Sequence, residues 1–219
     1  MKYAFFDLDG TLADTDPDIR LAWKASLADE NLECPLFDEL FVAGPPFDEM
    51  MEILFPGRTD LKELSERIRI SYARHYDNDG FPATKEYPGV LDAVRELKTR
   101  GVAVYIVTNK RHPGTLAISK CFGWDRVFDG IYSTDMYRET LGVLKKGALL
   151  VKLMGELGAE RGDSVMVGDS YRDFEAAKVA GIRSVGVDWG YGKPEELAMA
   201  DKVISESAAL CGSVMEQFA

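Results

Sequence analysis

The 219-residue chain offers little sulfur chemistry: its three cysteines, Cys34, Cys121 and Cys211, are odd in number and widely spaced. That spacing suits neither a disulfide framework nor a thiolate zinc site, so the thiols are expected to be reduced and mostly buried. Histidine is scarcer still, with only His75 and His112 present, and nothing in their spacing would pair them on a metal. His75, beside Arg74, is read as a helix-surface residue and His112 as solvated. Positive charge is also in deficit, since 26 Lys and Arg against 37 Asp and Glu leave a formal net charge of −11. Such a balance disfavours attraction to nucleic acid or to an anionic membrane, and an anionic small ligand must then be held by local groups. No apolar run approaches the length that spans a bilayer, and the N-terminus opens directly on a strand pattern, so a cytoplasmic location is expected. Repeats and low-complexity runs are absent as well. With 46% hydrophobic residues, the chain is expected to be globular throughout.

What is present falls into two textures. Over 17–31 apolar residues recur at helical spacing (Ile19, Leu21, Ala22, Trp23, Leu27), with Asp16 and Pro17 as an N-cap and first-turn pair. Residues 40–55 read as two short helical pieces around the rigid Gly44-Pro45-Pro46, and 61–76 as another amphipathic helix. After Tyr87-Pro88-Gly89, helix and strand alternate. Helices are expected over 90–100, 113–122, 146–157, 172–180 and 205–217, and strands over 102–107, 130–133, 164–167 and 184–187. This order predicts an α/β protein, a parallel sheet covered on both faces, interrupted after its first strand by an all-helical block.

The polar residues that stand where apolar strands end are the candidates for chemistry, because ligands of open α/β sheets bind at the carboxyl ends of strands. The run Tyr3–Phe6 leads into Asp7-Leu8-Asp9-Gly10-Thr11. Two carboxylates two residues apart on an extended chain share a side, repel each other and invite a hard divalent cation. One can remain ionised as a nucleophile while the other carries a proton. A strand followed by an Asp-Gly turn is the plainer alternative. The strand 104–107 ends in Thr108-Asn109-Lys110, a hydroxyl and amides suited to phosphate oxygens, or simply a polar turn. The strand 165–167 ends in Gly168-Asp169-Ser170, with Asp173 one helical turn further on, where an acid also serves as a helix cap. Lys145-Lys146-Gly147 opens the preceding helix and places an ammonium over the same face, where it would offset carboxylate and phosphate charge.

Taken together, Asp7-Leu8-Asp9-Gly10-Thr11, Thr108, Lys146 and Gly168-Asp169-Ser170 with Asp173 resemble, in order and separation, the four motifs of the phosphatase branch of the haloacid dehalogenase-like superfamily. The resemblance covers essentially the whole chain. It implies a Rossmann-like core formed by 1–14 and 86–219 and an inserted helical cap domain at 15–85. Within the cap, Gly44-Pro45-Pro46 and the 72–76 segment, followed in the core by Tyr87-Pro88-Gly89, look like the phosphoglycolate phosphatase and nucleotidase subgroup. It implies an aspartyl-phosphate mechanism with Asp7 as nucleophile and Asp9 as acid and base. Mg2+ would be held by Asp7, the Asp9 backbone carbonyl and Asp169, with Asp173 ordering the ligands around it. Thr108, Asn109 and the amides near Leu8 and Asp9 would bind the phosphate, and Lys146 would balance charge.

The partner implied is a small phosphorylated metabolite, with phosphoglycolate favoured and a nucleoside 5′-monophosphate next; a sugar phosphomutase would share every core motif. A dehalogenase would need no acid at position 9. A phosphonate hydrolase would need a cap lysine for a Schiff base; the loop 44–48 has none, which leaves Lys24 and Lys62. A catalytically silent binding protein would have little reason to keep all of these groups. Trp23, Phe41, Phe47, Met50 and Met51 are read as core packing within the helical block.

Overall fold

The structure is a computed structural model that describes residues 1–78 and 80–218. Its elements, in chain order, begin with β1 (Lys2–Phe6), β2 (Ala13–Asp14), α1 (Asp16–Asp29), α2 (Phe37–Leu40), α3 (Phe47–Leu54), α4 (Leu61–Asn78) and β3 (Lys85–Glu86). There follow α5 (Val90–Thr99), β4 (Val102–Thr108), α6 (His112–Cys121), β5 (Gly130–Ser133), α7 (Arg138–Leu141), α8 (Lys146–Leu157) and β6 (Ser164–Gly168). The chain closes with α9 (Tyr171–Ala180), β7 (Arg183–Val187), α10 (Pro194–Leu197), β8 (Lys202–Ile204) and α11 (Leu210–Glu216).

Six strands form one parallel sheet in the order β5-β4-β1-β6-β7-β8. Their β-branched and aromatic residues suit a pleated surface buried on both faces, and β4 is buried along its whole length. Alternation divides the strand residues between two cores. Ala4, Phe6, Val104, Ile106, Val165 and Val167 join α5, α11 and the insertion, while Tyr3, Phe5, Tyr105, Val107 and Met166 meet Leu149, Leu150 and Leu153 of α8 and Ala176 and Ala177 of α9. Each fully buried Phe, Leu or Val contributes about 1.5–3 kcal/mol relative to exposure, so the central strands anchor the fold.

Helices α1–α4 lie between the two short strands of an antiparallel hairpin, in which Ala13 pairs with Glu86 and Asp14 with Lys85. The chain thus leaves the sheet region and returns beside its point of departure. Strands of two residues carry no periodicity, which is why β2 and β3 escape a pattern-based reading. The same holds for the short elements β8, α7 and α10.

Other differences from expectation have local causes. Thr15, rather than Asp16, occupies the N-cap of α1, because the Asp16 carboxylate turns along the helix to Arg20 Nε at 2.5 Å. The first short helix of the 40–55 region sits earlier, at Phe37–Leu40, since Phe41 is extended at φ −73°, ψ 131° on the way to the diproline. The closing helix starts only at Leu210, after a 3₁₀ turn at Ser207–Ala209. All three cysteines are free, but only Cys211 is buried; Cys121 at the end of α6 is exposed. Among the described residues no helix is long and apolar enough to cross a membrane.

Candidate active site

From β1 the chain steps to β4 and β5 on one side, then crosses back to β6, β7 and β8 on the other. The reversal opens a crevice at the carboxyl ends of β1, β4 and β6, the place where such sheets bind ligands. Asp7 directly follows β1 and prolongs its ladder, its N–H donating to the Val167 carbonyl at 2.9 Å. Alternation carries its side chain to the face of Tyr3 and Phe5, toward α8. Lys146, the first residue of α8, meets it there: Nζ lies 2.8 Å from Asp7 Oδ1 and 2.7 Å from Asp173 Oδ1. Lys146 is thus ion-paired with Asp7 and donates a hydrogen bond to Asp173. A cation at a helix N-terminus works against the macrodipole, so these two carboxylates, and no helical preference, hold the buried ammonium in place. Burial opposes its charge, but Asp173 and Asp7 outweigh burial and raise its pKa.

Asp173 serves the helix and the cluster at once. Its Oδ2 accepts from the Ser170 backbone N–H at 3.1 Å and hydroxyl at 2.9 Å, completing a capping box on α9, while Oδ1 takes Lys146. Asp169 lies between the two ends of the crevice. It accepts from the Tyr191 backbone N–H at 2.6 Å and, more weakly, from the Thr11 hydroxyl at 3.4 Å. Gly10, at φ +78°, approaches so closely that a Cβ there would overlap the Asp169 carboxylate, which explains a glycine after the paired acids.

Carboxylate oxygens of Asp7, Asp169 and Asp173 fall within 4.8 Å of one another. Burial, with Asp173 and Asp7 adding to it, pushes the Asp169 carboxyl up to about 8. Asp7 is pushed up to about 6 by burial, against the pull of Lys146. Crowded buried acids with only oxygen donors fit a hard divalent cation of the Mg2+ kind, which would hold them ionised.

The Asp9 side chain turns away from this cluster. Its Oδ1 accepts from the Thr15 hydroxyl at 2.6 Å and from Lys110 Nζ at 2.8 Å, which leaves its backbone carbonyl as the group that could face a metal. Thr108 is buried at the end of β4, and its Oγ1 accepts the Lys110 backbone N–H at 3.2 Å. Its own hydroxyl proton stays available to a ligand oxygen. Asn109 lines the same cavity as Asp7, Asp9, Thr108 and Asp169.

That cavity, about 230 Å³, lies between the sheet edge and the helical insertion. Trp23, Phe41, Phe47 and Met50 serve two purposes: they pack the insertion, with the Trp23 and Phe47 rings stacked at 4.3 Å, and they line the cavity. Two ion pairs bind insertion to core on either flank: Arg111 to both Asp77 oxygens at 2.7 Å, and Arg172 to Glu49 at 2.7 Å. Lys24 pairs with Asp38 at 2.7 Å, and neither it nor Lys62 lines the cavity. His75 contacts Asp29 at 3.0 Å. His112 is not simply solvated, since its Nδ1 is buried.

Sequence reasoning assigned no role at the site to Thr15, Tyr76, Lys110, Arg111, Arg172 or Tyr191. Tyr191 ties the start of the insertion to the acids: its backbone N–H donates to Asp169, and its hydroxyl accepts from the N–H groups of Thr15 at 2.7 Å and Asp16 at 2.9 Å and donates to Asp14 Oδ1 at 2.9 Å. The strand-end logic, applied once more to β7 and its continuation into Asp188-Trp189-Gly190-Tyr191-Gly192, points to it.

A six-stranded parallel sheet with helices, its acids gathered where the strand order reverses, defines a Rossmann-like phosphatase. The chain belongs to the haloacid dehalogenase-like hydrolase family, whose model matches residues 4–187. A phosphoglycolate phosphatase of Neisseria gonorrhoeae is 32% identical over 202 residues, covering 90% of this chain and 84% of that protein. The tyrosine-protein kinase PtkA of Mycobacterium tuberculosis H37Rv is 28% identical over 218 residues, covering 98% and 72%. A crystal structure of a predicted phosphoglycolate phosphatase from Haemophilus somnus 129PT superposes with a TM-score of 0.82 at 25% identity and covers 97% of each chain.

Proposed function

We propose that this phosphatase is magnesium-dependent and hydrolyses a small phosphomonoester of the phosphoglycolate type through an aspartyl-phosphate on Asp7, beneath a cap formed by residues 15–85. The observation that carries the proposal is the buried group of Asp7, Lys146, Asp169 and Asp173 beside Thr108, closed over by the helical insertion. The names of curated relatives supply phosphoglycolate. A cavity of about 230 Å³ suits a small monoester.

Asp7 Oδ attacks phosphorus in line; a bond from its oxygen to phosphorus forms as the bond to the leaving oxygen breaks. Asp9 delivers its proton to that oxygen, releasing the alcohol. Water then attacks the aspartyl-phosphate, Asp9 takes a proton from it, and Asp7 is regenerated with release of phosphate. The Thr108 hydroxyl and the amides near Leu8, Asp9 and Asn109 donate to the non-bridging oxygens, and Lys146 offsets their charge. Mg2+ would be held by Asp7, the Asp9 carbonyl and Asp169, with Asp173 beside them, and when bound would neutralise carboxylate and phosphoryl charge. Closure of the cap keeps bulk water from the acyl phosphate.

The test is steady-state phosphate release from phosphoglycolate, nucleoside monophosphates and hexose phosphates, with and without Mg2+. Turnover is expected only with Mg2+ and is lost in Asp7→Asn. A fully active Asp7→Asn protein removes the nucleophile assignment, and activity dependent on a sugar bisphosphate activator favours the mutase.

A further inference from the structure

The wall of the cavity next to Asp9 is built differently from the rest. Trp23, Phe41 and Phe47 line the cavity as an apolar surface that runs through Tyr72 to Tyr76. On the Asp9 side lies the Lys110 ammonium, only 6% exposed, 2.8 Å from Asp9 Oδ1 and 4.3 Å above the centre of the Tyr76 ring. An ammonium has three N–H donors, and among the described residues Asp9 is the one hydrogen-bond acceptor that Lys110 Nζ meets. The Tyr76 hydroxyl is buried in the same wall with no hydrogen-bond partner among the described residues. An unpartnered buried hydroxyl is costly, so this wall holds donors waiting for an acceptor. Of the neighbouring cations, Arg172 is tied to a cap carboxylate, Arg111 gives one terminal nitrogen to Asp77 while its buried Nε has no partner among the described residues, and Lys193 stands exposed at the mouth.

We propose that Lys110, assisted by the Tyr76 hydroxyl, is the specificity-determining group that reads a carboxylate on the leaving group, so that the preferred substrates are 2-phosphooxy carboxylic acids. The inference rests on the phosphatase reading above. If Asp9 protonates the leaving oxygen, that oxygen lies within about 2.5–3.0 Å of the Asp9 carboxylate. Lys110 Nζ is 2.8 Å from the same carboxylate. A group joined to the carbon that bears the ester oxygen is therefore within reach of the ammonium, and a carboxylate there gains a charge-assisted hydrogen bond.

The experiment compares kcat/KM for 2-phosphoglycolate with that for ethyl phosphate, which has the same chain length without the carboxylate, in Mg2+. Wild type is expected to prefer phosphoglycolate by about 10- to 150-fold, the range that a hydrogen bond to a charged group supports. Lys110→Met is expected to bring that ratio below about 5, with the selective part of the loss in KM, and Tyr76→Phe to lower it by about 3- to 10-fold. Lys110→Arg retains part of the preference. Should Lys110→Met fail to fold, Tyr76→Phe and Lys110→Arg measure the same ratio. Equal losses on both substrates in Lys110→Met would assign Lys110 to Asp9 alone and overturn the inference. A ratio that collapses in Lys193→Ala and not in Lys110→Met overturns it in favour of the exposed lysine. Wild type that hydrolyses ethyl phosphate as well as phosphoglycolate defeats the carboxylate reader and leaves the phosphatase intact, whereas hydrolysis of neither, nor of any other monoester, defeats the phosphatase reading itself.

Discussion

Lys146→Met removes the ammonium shared by Asp7 and Asp173 while nearly preserving volume. At 2.8 and 2.7 Å, and with an effective dielectric of about 20, each attraction is worth about 6 kcal/mol before the cost of taking the charges out of water. Methionine escapes the desolvation that the ammonium bears, so the expected net loss is about 3–5 kcal/mol, as for other buried pairs stripped of one partner. The loss depends on pH. Asp7 sits at about 6 even with Lys146 in place, lifted first by burial, and without the lysine it rises further, whereas in the unfolded chain an Asp titrates near about 3.9. A protonated Asp7 needs no ammonium, so the part of the deficit that Asp7 carries is small near pH 4 and grows as pH rises through 6 toward 8. The assay is urea unfolding followed by circular dichroism on metal-free protein at pH 5 and pH 8. With a slope of about 2–3 kcal/mol/M, the midpoint falls by about 1–2.5 M at pH 8 and by less at pH 5. A loss under about 1 kcal/mol that is equal at both pH values would show that Lys146 does not balance this cluster.

Metal-free wild type carries the related signature: with Asp169 raised to about 8 and Asp7 to about 6, it loses stability as pH climbs from 4 to 8. Mg2+ is thus expected to raise Tm more at pH 8 than at pH 5, and an equal shift in differential scanning fluorimetry would contradict the ligand set. Gly192→Ala drives a Cβ into the Asp169 backbone oxygen; Mg2+ affinity is expected to fall at least about tenfold by calorimetric titration, as for lost support of a metal ligand, and wild-type affinity would show that the loop yields freely. Trp23→Ala, at a site 4% exposed among Phe41, Phe47 and Tyr72, is expected to cost about 3–5 kcal/mol in chemical denaturation, and a cost below about 1 would mean that the insertion repacks around the gap.

The sheet was legible because its strands are buried on both faces and read as unbroken apolar runs: 102–107 needed no partner to be recognised, and its end at Thr108 marked the crevice. Periodicity likewise exposed α4 and α8. The elements that escaped are those whose existence depends on a partner. Ala13–Asp14 is a strand only because Lys85–Glu86 returns to it, and β8 only because β7 offers an edge. The same distinction holds in the cavity. Asp7 and Asp169 announce themselves as acids at strand ends, but Lys110 gains meaning from Asp9 and Tyr76, far apart in sequence, and Tyr191 from the start of the insertion, which it meets through three hydrogen bonds. Asp173 could be read as a cap or as support for the acidic cluster because one carboxylate does both, capping α9 and accepting from Lys146.

The hairpin of β2 and β3 has a consequence for the history of such a protein. Since Ala13 pairs with Glu86 and Asp14 with Lys85, the sheet meets the helical insertion at a single closed port, whatever lies beyond it. Lengthening a closed loop costs little, about 0.6 kcal/mol per doubling. A different lid could be spliced into that port without re-registering a strand, so the acids at the strand ends would keep their places while the part of the cavity that the insertion lines was replaced.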